Sequence, residues 1–222
     1  MKLQDRLDEF TTSLMASGAI PEEVVTELME GIADQIASGA ADRALKAGQI
    51  APSFVLEDAE RIRHDSADML RRGPLVVSSY RGVWCPYCNL ELTALEAARP
   101  AIEARGASVV AVSMQNAANS RKSARENGLG FPILVDAGGV VAAKFGLRYQ
   151  VSPPVLKLYK QLGNDLCTIN GEDSGTLPMP GLYLIGQDGV VAYAEVNPDY
   201  TKRPDPNDLL SVLDQMQRRR VA

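Results

Sequence analysis

Short apolar runs alternate with amphipathic stretches along the chain from residue 48 onward. This alternation is typical of an α/β domain in which helices cover a largely parallel sheet. The runs predict strands at 75–80, 109–112, 131–135, 182–185 and 190–193. Because Asp188-Gly189 between the last two runs is a hairpin turn sequence, those two strands should be antiparallel. The sequence therefore predicts a mixed central sheet flanked by helices.

The first 47 residues have a different pattern, that of two amphipathic helices. Glycines at 18 and 39 mark their ends, and Pro21 suits the start of the second helix. Apolar residues recur at helical spacing, at Leu3, Leu7, Phe10 and Leu14 in the first helix and at Val25, Leu28, Met29, Ile32 and Ile36 in the second. We interpret residues 1–47 as a helical extension in front of a thiol-bearing domain at 48–222. The apolar surface of these helices favours a homodimer.

Residues 148–179 are the least regular part of the predicted domain, and we interpret them as an insertion near the functional site. They predict a short helix at about 156–161, followed by a loop rich in Gly, Asn, Asp and Ser. After the hairpin, Asp205-Pro206 predicts the cap and first turn of a last helix.

Composition and charge exclude two classes of protein. No apolar run reaches the length of about 18 residues that a membrane span needs. The formal net charge is −5, whereas a nucleic-acid-binding protein has a basic face. The first ten residues mix acids and bases, where a secretion signal would have a basic start and an apolar run. We therefore expect a cytoplasmic protein with no nucleic-acid partner and no membrane contact.

The chemistry is predicted to lie in the sequence 84–88, Trp-Cys-Pro-Tyr-Cys, directly after the strand at 75–80. If Pro86 is the first helical residue, Cys85 is the N-cap and Cys88 lies one turn into the helix on the same face. A Cys85 thiolate could then accept backbone hydrogen bonds from Tyr87 and Cys88. The helix dipole would lower its pKa below the usual value of about 8.5. Cys85 is thus predicted as the nucleophile and Cys88 as the resolving thiol, which closes a disulfide with it.

The residues around this pair allow alternative interpretations. A zinc site would need further soft ligands, and the remaining candidates, Cys167 and His64, are far apart in sequence. We therefore favour redox chemistry, with no metal. Arg81 either adds positive charge to the site or is a solvated loop residue, and the sequence leaves both open. The chain has no flavin, nicotinamide or phosphate-binding motif, so no cofactor is expected.

Over about residues 48–216 the sequence resembles the thioredoxin superfamily, and within it the peroxiredoxin-like proteins of the alkyl hydroperoxide reductase and thiol-specific antioxidant group. The segments that carry the resemblance are 48–56, 131–136 with 145–147, 180–189, and Asn197 with Arg203. The resemblance implies a thioredoxin-like fold. It also implies that Pro180 is the cis-proline that faces the cysteines in thioredoxins.

The sequence departs from the peroxiredoxin pattern at three positions. Gly82 stands where peroxiredoxins have Thr or Ser, and Ser78 stands where they have Pro. Pro180 stands where they have an active-site Arg. Conversely, Trp84 resembles thioredoxin, and the Cys-Pro-Tyr-Cys quartet is that of glutaredoxins.

These observations leave three hypotheses for the function. The first is an antioxidant thiol peroxidase that reduces hydroperoxides through Cys85 and Cys88, with thioredoxin or glutathione as reductant. The second is a thiol-disulfide oxidoreductase acting on protein or glutathione disulfides. The third is a redox-sensing binding protein without turnover. The resemblance over the whole domain favours the first hypothesis, with Trp84, Pro86, Tyr87, Arg81 and Pro180 supporting the two cysteines.

Overall fold

The computed structural model describes the backbone of residues 1–221 and the side chains of residues 1–218. Its helices are α1 (Leu3–Ala16), α2 (Glu22–Ala37), α3 (Ser66–Arg72), α4 (Pro86–Glu103), α5 (Ala117–Glu126), α6 (Val140–Lys144), α7 (Pro153–Gln161), α8 (Leu166–Asn170) and α9 (Asp208–Val221). Its strands are β1 (Val55–Asp58), β2 (Arg63–Asp65), β3 (Leu75–Ser79), β4 (Ser108–Ser113), β5 (Ile133–Val135), β6 (Arg148–Gln150), β7 (Thr176–Pro178), β8 (Gly181–Ile185) and β9 (Val191–Val196).

Seven strands form the central sheet, in the order β2-β1-β5-β4-β3-β8-β9. Strands β3, β4 and β5 are parallel, and the other neighbours pair antiparallel. The predicted mixed sheet is confirmed, and the hairpin expected around Asp188-Gly189 is β8–β9. The strands β1 and β2 at one end of the sheet and helix α3 were not predicted, because their polar, short segments carry little hydrophobic periodicity.

Each face of the sheet carries a hydrophobic core, so that β3 and β4 are buried almost throughout. On one face α4 and α9 pack on the sheet through Leu92, Leu95, Ile102, Leu209 and Leu213. On the other face Phe54, Phe145 and Leu147 pack against Tyr183. This two-sided burial explains why the central strands read as continuous apolar runs rather than as alternating patterns.

Helix α1 belongs to the same core as α4, because Leu3 and Leu7 are buried against it. Helix α2 packs on α7, and Gly39 after its end has φ +64°. The two predicted amino-terminal helices are thus present, and part of their apolar surface is covered within the chain.

Residues 148–179 are more ordered than the sequence suggested. They contain α7, α8 and a two-stranded antiparallel sheet of β6 and β7. These elements share a small core that consists of Val151, Val155, Tyr159, Leu166 and Leu177. The prediction of a loop after α7 was therefore wrong in part, because this stretch contains α8 and β7. Widely spaced apolar residues hold its polar turns in place.

The last helix also begins later than predicted, at Asp208 instead of after Asp205. The Asp205 carboxylate accepts hydrogen bonds from the backbone N–H groups of Asn207, at 3.0 Å, and of Leu3, at 3.0 Å. Asp205 therefore closes a turn before the helix and fastens the start of α1. Within residues 1–221, no helix combines the length and the hydropathy that crossing a membrane requires.

Candidate active site

Cys85 lies where the loop after β3 enters α4, and Pro86 is the first residue of that helix. Cys85 is the N-cap, as the spacing predicted, with extended backbone at φ −94° and ψ 109°. The loop is held by the buried Gln115 at the end of β4. Its Oε1 accepts the Val83 N–H at 2.8 Å, and its Nε2 donates to the Tyr80 hydroxyl at 2.7 Å. Sequence analysis missed Gln115, which is about thirty residues away along the chain.

The Cys88 backbone N–H helps to lower the pKa of Cys85 as expected, but no full capping hydrogen bond to the Cys85 side chain is formed. Instead, Nη1 of Arg81 lies 3.8 Å from the Cys85 sulfur. Arg81 is only 2% exposed, so the solvated-loop alternative was wrong and the charge belongs to the site. No carboxylate among the described residues forms an ion pair with Arg81. Because a buried unpaired cation is costly, this arrangement favours the thiolate of Cys85 as its counter-charge.

Three aromatic rings hold the Arg81 guanidinium in place. Its central carbon lies 4.5 Å from the ring centre of Trp84, 4.0 Å from Tyr200 and 5.3 Å from Tyr159. Nη2 also donates to the Tyr159 hydroxyl. These cation–π contacts orient the guanidinium without neutralising it, which leaves its charge available to the sulfur.

The two cysteines have opposite electrostatic environments. Burial raises the pKa of Cys85, but hydrogen bonding from Cys88 and the charges of Arg81 and Arg203 outweigh it and bring that pKa to about 5. Burial and the neighbouring Cys85 thiolate raise the pKa of Cys88 well above its ordinary value. At neutral pH the pair therefore holds one thiolate, on Cys85, and one thiol, on Cys88.

A second arginine lies beside Cys88. Nη2 of Arg203 is 3.4 Å from the Cys88 sulfur, and Nη1 is 3.0 Å from Oε2 of Glu91. Both members of this ion pair are 1% exposed. Burial raises the pKa of Glu91 to about 7, although the charge of Arg203 opposes this. Sequence analysis noted Arg203 by resemblance but missed Glu91, whose place one turn after Cys88 on α4 was the available signal.

The departure at Gly82 has a steric reason. Gly82 has φ +150°, a conformation that favours glycine, and a Cβ there would lie 2.6 Å from Nε1 of Trp84. The indole therefore occupies the space that a Thr or Ser side chain would need.

Pro180 is buried at the start of β8, next to the strand that leads into the cysteines. The cis assignment was wrong, because none of the described peptide bonds is cis. The preceding Met179 donates its N–H to the Leu147 carbonyl at 2.8 Å and accepts from the Ser79 hydroxyl at 3.3 Å. These two bonds hold the chain in an extended path from β7 into β8.

Tyr87 joins the active site to helix α1. Its hydroxyl lies 2.9 Å from Oγ1 of Thr11, and its ring packs edge-on against Phe10 with centroids 5.4 Å apart. Asp8 of α1 also forms an ion pair with Lys202 at 3.0 Å. Helix α1 is thus fastened over the cysteine-bearing end of α4.

The two other metal-ligand candidates lie in unrelated settings. Cys167 is exposed in the first turn of α8. His64 on β2 bonds through Nε2 to the Asp58 carboxylate at 2.8 Å. Among the side chains that the structure describes, no group of three or more His, Cys, Asp or Glu residues could hold a metal ion.

A cavity of about 320 Å³ opens beside Cys85, between the two amino-terminal helices and the loops of the active site. We call it the α1–α2 pocket. Cys85, Arg81, Trp84 and Tyr87 line it from the active-site side. Its remaining lining consists of Asp8, Thr11, Leu14, Met15, Ile20, Val25, Leu28, Met29, Pro86, Tyr159, Leu162, Asn164, Asp199, Tyr200, Thr201 and Lys202. Cys85 is only 1% exposed, so the pocket provides the room next to its sulfur.

A helix that starts at a pair of cysteines after a central strand, in a mixed sheet of this order, defines the thioredoxin-like fold class. The AhpC/TSA family model matches residues 47–194, which is more than half of the chain. The chain therefore belongs to the AhpC/TSA family, as the sequence resemblance implied.

Solved structures share the fold at low sequence identity. Peroxidoxin BcpB of Mycobacterium tuberculosis aligns with a TM-score of 0.61 and 20% identity, over 78% of this chain and 98% of that one. Reduced Prx3 of Vibrio vulnificus, solved in complex with hydrogen peroxide, aligns with a TM-score of 0.60 and 16% identity, over 76% and 99%. These likenesses confirm the predicted thioredoxin-like, peroxiredoxin-type fold.

Among curated proteins the chain is similar to thiol-disulfide oxidoreductases. ResA of Geobacillus thermodenitrificans is 32% identical over 105 residues, 47% of this chain and 59% of that protein. ResA of Halalkalibacterium halodurans is 31% identical over 110 residues, 49% of this chain and 61% of that protein. The chain thus spans about three fifths of the length of these two relatives.

Proposed function

We propose that the protein is a thiol peroxidase that reduces hydroperoxides through Cys85, with Cys88 as the resolving thiol. The observation that carries this proposal is the position of Cys85, which is 1% exposed beside a 320 Å³ pocket. Its sulfur lies 3.8 Å from Arg81, which forms no ion pair with a carboxylate of the described residues. A small peroxide can enter such a pocket. A folded protein disulfide would meet α1 and α2 first.

The first step is attack of the Cys85 thiolate on one oxygen of the O–O bond. The S–O bond forms, the O–O bond breaks, and the leaving oxygen takes a proton from solvent to become an alcohol or water. Cys85 is oxidised to a sulfenic acid and the hydroperoxide is reduced. Arg81 stabilises the charge on the oxygens as it moves. Nε of Arg81 and Nε1 of Trp84 are buried and have no hydrogen-bond partner among the residues that the structure describes.

The second step is attack of Cys88 on the Cys85 sulfenic acid. The S–S bond forms and the hydroxyl group leaves with the Cys88 proton as water. Oxidation of Cys85 removes the thiolate that helped to raise the pKa of Cys88, while Arg203 stays 3.4 Å from its sulfur. Cys88 therefore becomes a better nucleophile only after Cys85 has reacted.

An external thiol reductant then reduces the Cys85–Cys88 disulfide to two thiols, and two thiol groups of the reductant are oxidised to a disulfide. Glutathione and thioredoxin are the candidates. The enclosed position of Cys85 favours glutathione, since thioredoxin has to bring its own cysteine to the buried disulfide. We keep the cytoplasm, where thiols are held reduced, as the expected compartment.

We also keep the homodimer as a proposal. Its support is the apolar surface that the amino-terminal helices leave exposed, at Met15, Met29 and Ile36. Light scattering at micromolar concentration should give twice the mass of one chain, and a monomer would refute the proposal.

The second candidate is a thiol-disulfide oxidoreductase. The ResA relatives support it, and it needs the same low-pKa thiolate. It differs in the substrate that must reach Cys85, a disulfide sulfur instead of a peroxide oxygen.

Rapid mixing separates the two candidates. Reduced protein is mixed with a hydroperoxide or with a mixed disulfide of glutathione, and the fluorescence of Trp84, the only tryptophan, is followed. We expect the hydroperoxide to react faster than with free cysteine corrected for its thiolate fraction. If only the disulfide reacts quickly, the oxidoreductase replaces the peroxidase.

A further inference from the structure

We infer that Gln4 of helix α1 is a positioning residue for the resolving step, because it holds the segment that places Arg203 beside Cys88. This inference rests on the proposed peroxidase function, in which Cys88 closes the disulfide. Neither Gln4 nor Arg203 lies within residues 47–194, the region that the AhpC/TSA model matches. A contact between two parts of the chain that flank the family region then sets the reactivity of the second cysteine.

The Gln4 side chain connects α1 to the loop after β9 through both of its polar atoms. Oε1 accepts the N–H of Arg203 at 3.0 Å, and Nε2 donates to the Thr201 carbonyl at 3.3 Å. Nε2 also donates to Oδ1 of Asp8 at 2.8 Å, and Lys202 donates to the same oxygen at 3.0 Å. Gln4 therefore contacts the backbone on both sides of Lys202, and its amide is oriented from within its own helix.

The segment held in this way reaches both cysteines of the site. Nη2 of Arg203 lies 3.4 Å from the Cys88 sulfur, and Nε of Arg203 donates to the Tyr200 carbonyl at 2.9 Å. The Tyr200 ring in turn lies against the Arg81 guanidinium, whose central carbon is 4.0 Å from the ring centre. The position of this loop therefore affects the charge beside Cys88 directly and the charge beside Cys85 through one aromatic ring.

The backbone around Arg203 depends on such side-chain contacts. Residues 202–205 have no regular secondary structure, and among the described residues the Arg203 N–H donates to no backbone carbonyl. Loss of the Gln4 amide removes the acceptor of this N–H, while the ion pair of Arg203 with Glu91 remains. One hydrogen bond of ordinary net strength corresponds to about a two- to tenfold change in an equilibrium. We expect an effect of this size on the resolving step.

The charge of Arg203 matters because Cys88 has to release its proton when it attacks the sulfenic acid. The titratable and charged groups that face Cys88 are Cys85, Arg81, Arg203, Glu91 and Tyr80. Burial raises the pKa of Cys88, and the two arginines lower it, Arg203 more than Arg81. A displaced Arg203 should therefore raise the pKa of Cys88 further and slow its attack.

The test is the Gln4→Met variant, which keeps the length of the side chain and removes both polar atoms. The reduced full chain is mixed rapidly with a hydroperoxide, and dimedone added at successive times counts the sulfenic acid that Cys88 has not yet consumed. We expect the resolving step to slow about two- to tenfold and its pH midpoint to move upward. The first step should change less than twofold, because Cys85 is already a thiolate at neutral pH.

Two further variants separate positioning from a general structural effect. Gln4→Glu keeps an acceptor for the Arg203 N–H and should recover part of the rate of the resolving step. Thr12→Val is the matched control, since Thr12 is exposed on the same helix and its hydroxyl donates to the Asp8 carbonyl within that helix. It should leave both rate constants and the pH midpoint unchanged, whatever it does to stability.

An unchanged resolving step and pH midpoint in Gln4→Met would overturn the inference while leaving the peroxidase function intact. Equal slowing of both steps, or the same effect in Thr12→Val, would overturn it as well. If the unchanged protein does not react with the hydroperoxide, the proposed function fails instead. The attack of Cys88 on a glutathione mixed disulfide at Cys85, which releases glutathione as a thiol, then measures the same effect of Gln4.

Discussion

The positive charge of Arg81 is held by aromatic rings and lies beside the Cys85 sulfur, so it should keep the pKa of Cys85 low. We predict that alkylation of Cys85 in a Cys88→Ser, Cys167→Ser background has its midpoint below the ordinary value of a cysteine, because Arg81 and Arg203 still stabilise the thiolate and lower its pKa. Adding Arg81→Met should move the midpoint upward by about one to three pH units, because the stabilising charge is lost. The rate of iodoacetamide reaction against pH measures this.

Arg81→Lys serves as the conservative control, since it keeps the charge and should recover part of the shift. A fast, acid-shifted reaction that survives Cys85→Ser would show that another thiol is the nucleophile. An unchanged midpoint in Arg81→Met would show that the guanidinium does not stabilise the thiolate.

Glu91 and Cys85 should give the reduced protein opposite dependences of stability on pH. Burial raises the pKa of Glu91 to about 7, so its contribution is present at low pH and is lost as pH rises toward 7. The pKa of Cys85 is lowered to about 5, so its contribution is lost as pH falls toward 5. Between pH 5 and 7 the two groups therefore change the unfolding free energy with opposite sign.

We therefore predict a nearly flat unfolding free energy between pH 5 and 7 for the reduced protein. In Glu91→Gln only the Cys85 contribution remains, so stability should rise by about 3 kcal/mol over that interval. Urea unfolding at pH 5, 6 and 7 in the presence of a reductant measures both profiles. A flat profile in Glu91→Gln would contradict the lowered pKa of Cys85, and a rising profile in the unchanged protein would contradict the raised pKa of Glu91.

At the residue scale, sequence analysis assigned the cysteines because their roles follow from spacing within one helix turn. It left Arg81 open, since nothing local shows whether a loop arginine is buried. Glu91 and Gln115 were missed because their partners, Arg203 and Val83, are 112 and 32 positions away. Contacts of that separation are created by the fold and leave no local pattern.

Among the elements, helix α1 should contribute to both stability and access. Leu7 is fully buried against α4, so Leu7→Ala should lower the unfolding free energy by about 2–5 kcal/mol. It should also speed the reaction of Cys85 with a bulky thiol reagent, because α1 covers the site. The exposed Ile36 of α2 is the control, and Ile36→Ala should change stability by no more than about 0.5 kcal/mol. Urea unfolding measures the stability, and the rate of thiol labelling shows whether α1 limits access to Cys85. A labelling rate that Leu7→Ala leaves unchanged would show that it does not.

Helix α4 places both active-site cysteines in its first turn, whereas Cys167 lies exposed on α8. Peroxide treatment should therefore give a reversible Cys85–Cys88 disulfide, and Cys167→Ser should form it equally well. Mass mapping of digested, oxidised protein identifies the linkage. A dominant bond to Cys167, within or between chains, would refute the short-loop mechanism.

The elements that sequence analysis found best are those with strong periodicity, such as β3, β4 and α2. It missed β1 and β2, which are short and polar, and it described residues 148–179 as mainly loop. There the small core around Tyr159 and Leu177 depends on residues too widely spaced to form a pattern. Tyr159 then became part of the site through its contact with Arg81, a connection that only the folded segment reveals.

In the whole molecule, the AhpC/TSA family region and the amino-terminal helices contribute different parts of the site. The family region supplies the dithiol and Arg81. Arg203 follows that region in the loop after β9, and the helices enclose the sulfur. The fold could be predicted from alternation and resemblance together. The position of α1 and α2 beside Cys85 could not be predicted. An amphipathic pattern shows that a helix packs against something, but it does not identify the surface that it packs on.

The central claim is that the Cys85 thiolate takes an oxygen atom from a hydroperoxide. It is tested most directly in the Cys88→Ser, Cys167→Ser variant, mixed with one equivalent of cumene hydroperoxide and then with dimedone, which traps sulfenic acids. If Cys85 takes this oxygen, intact-mass and peptide analysis should find the dimedone adduct on Cys85, formed together with one equivalent of cumyl alcohol. An unmodified Cys85 under these conditions, in a protein that still reacts rapidly with a glutathione mixed disulfide, would contradict it.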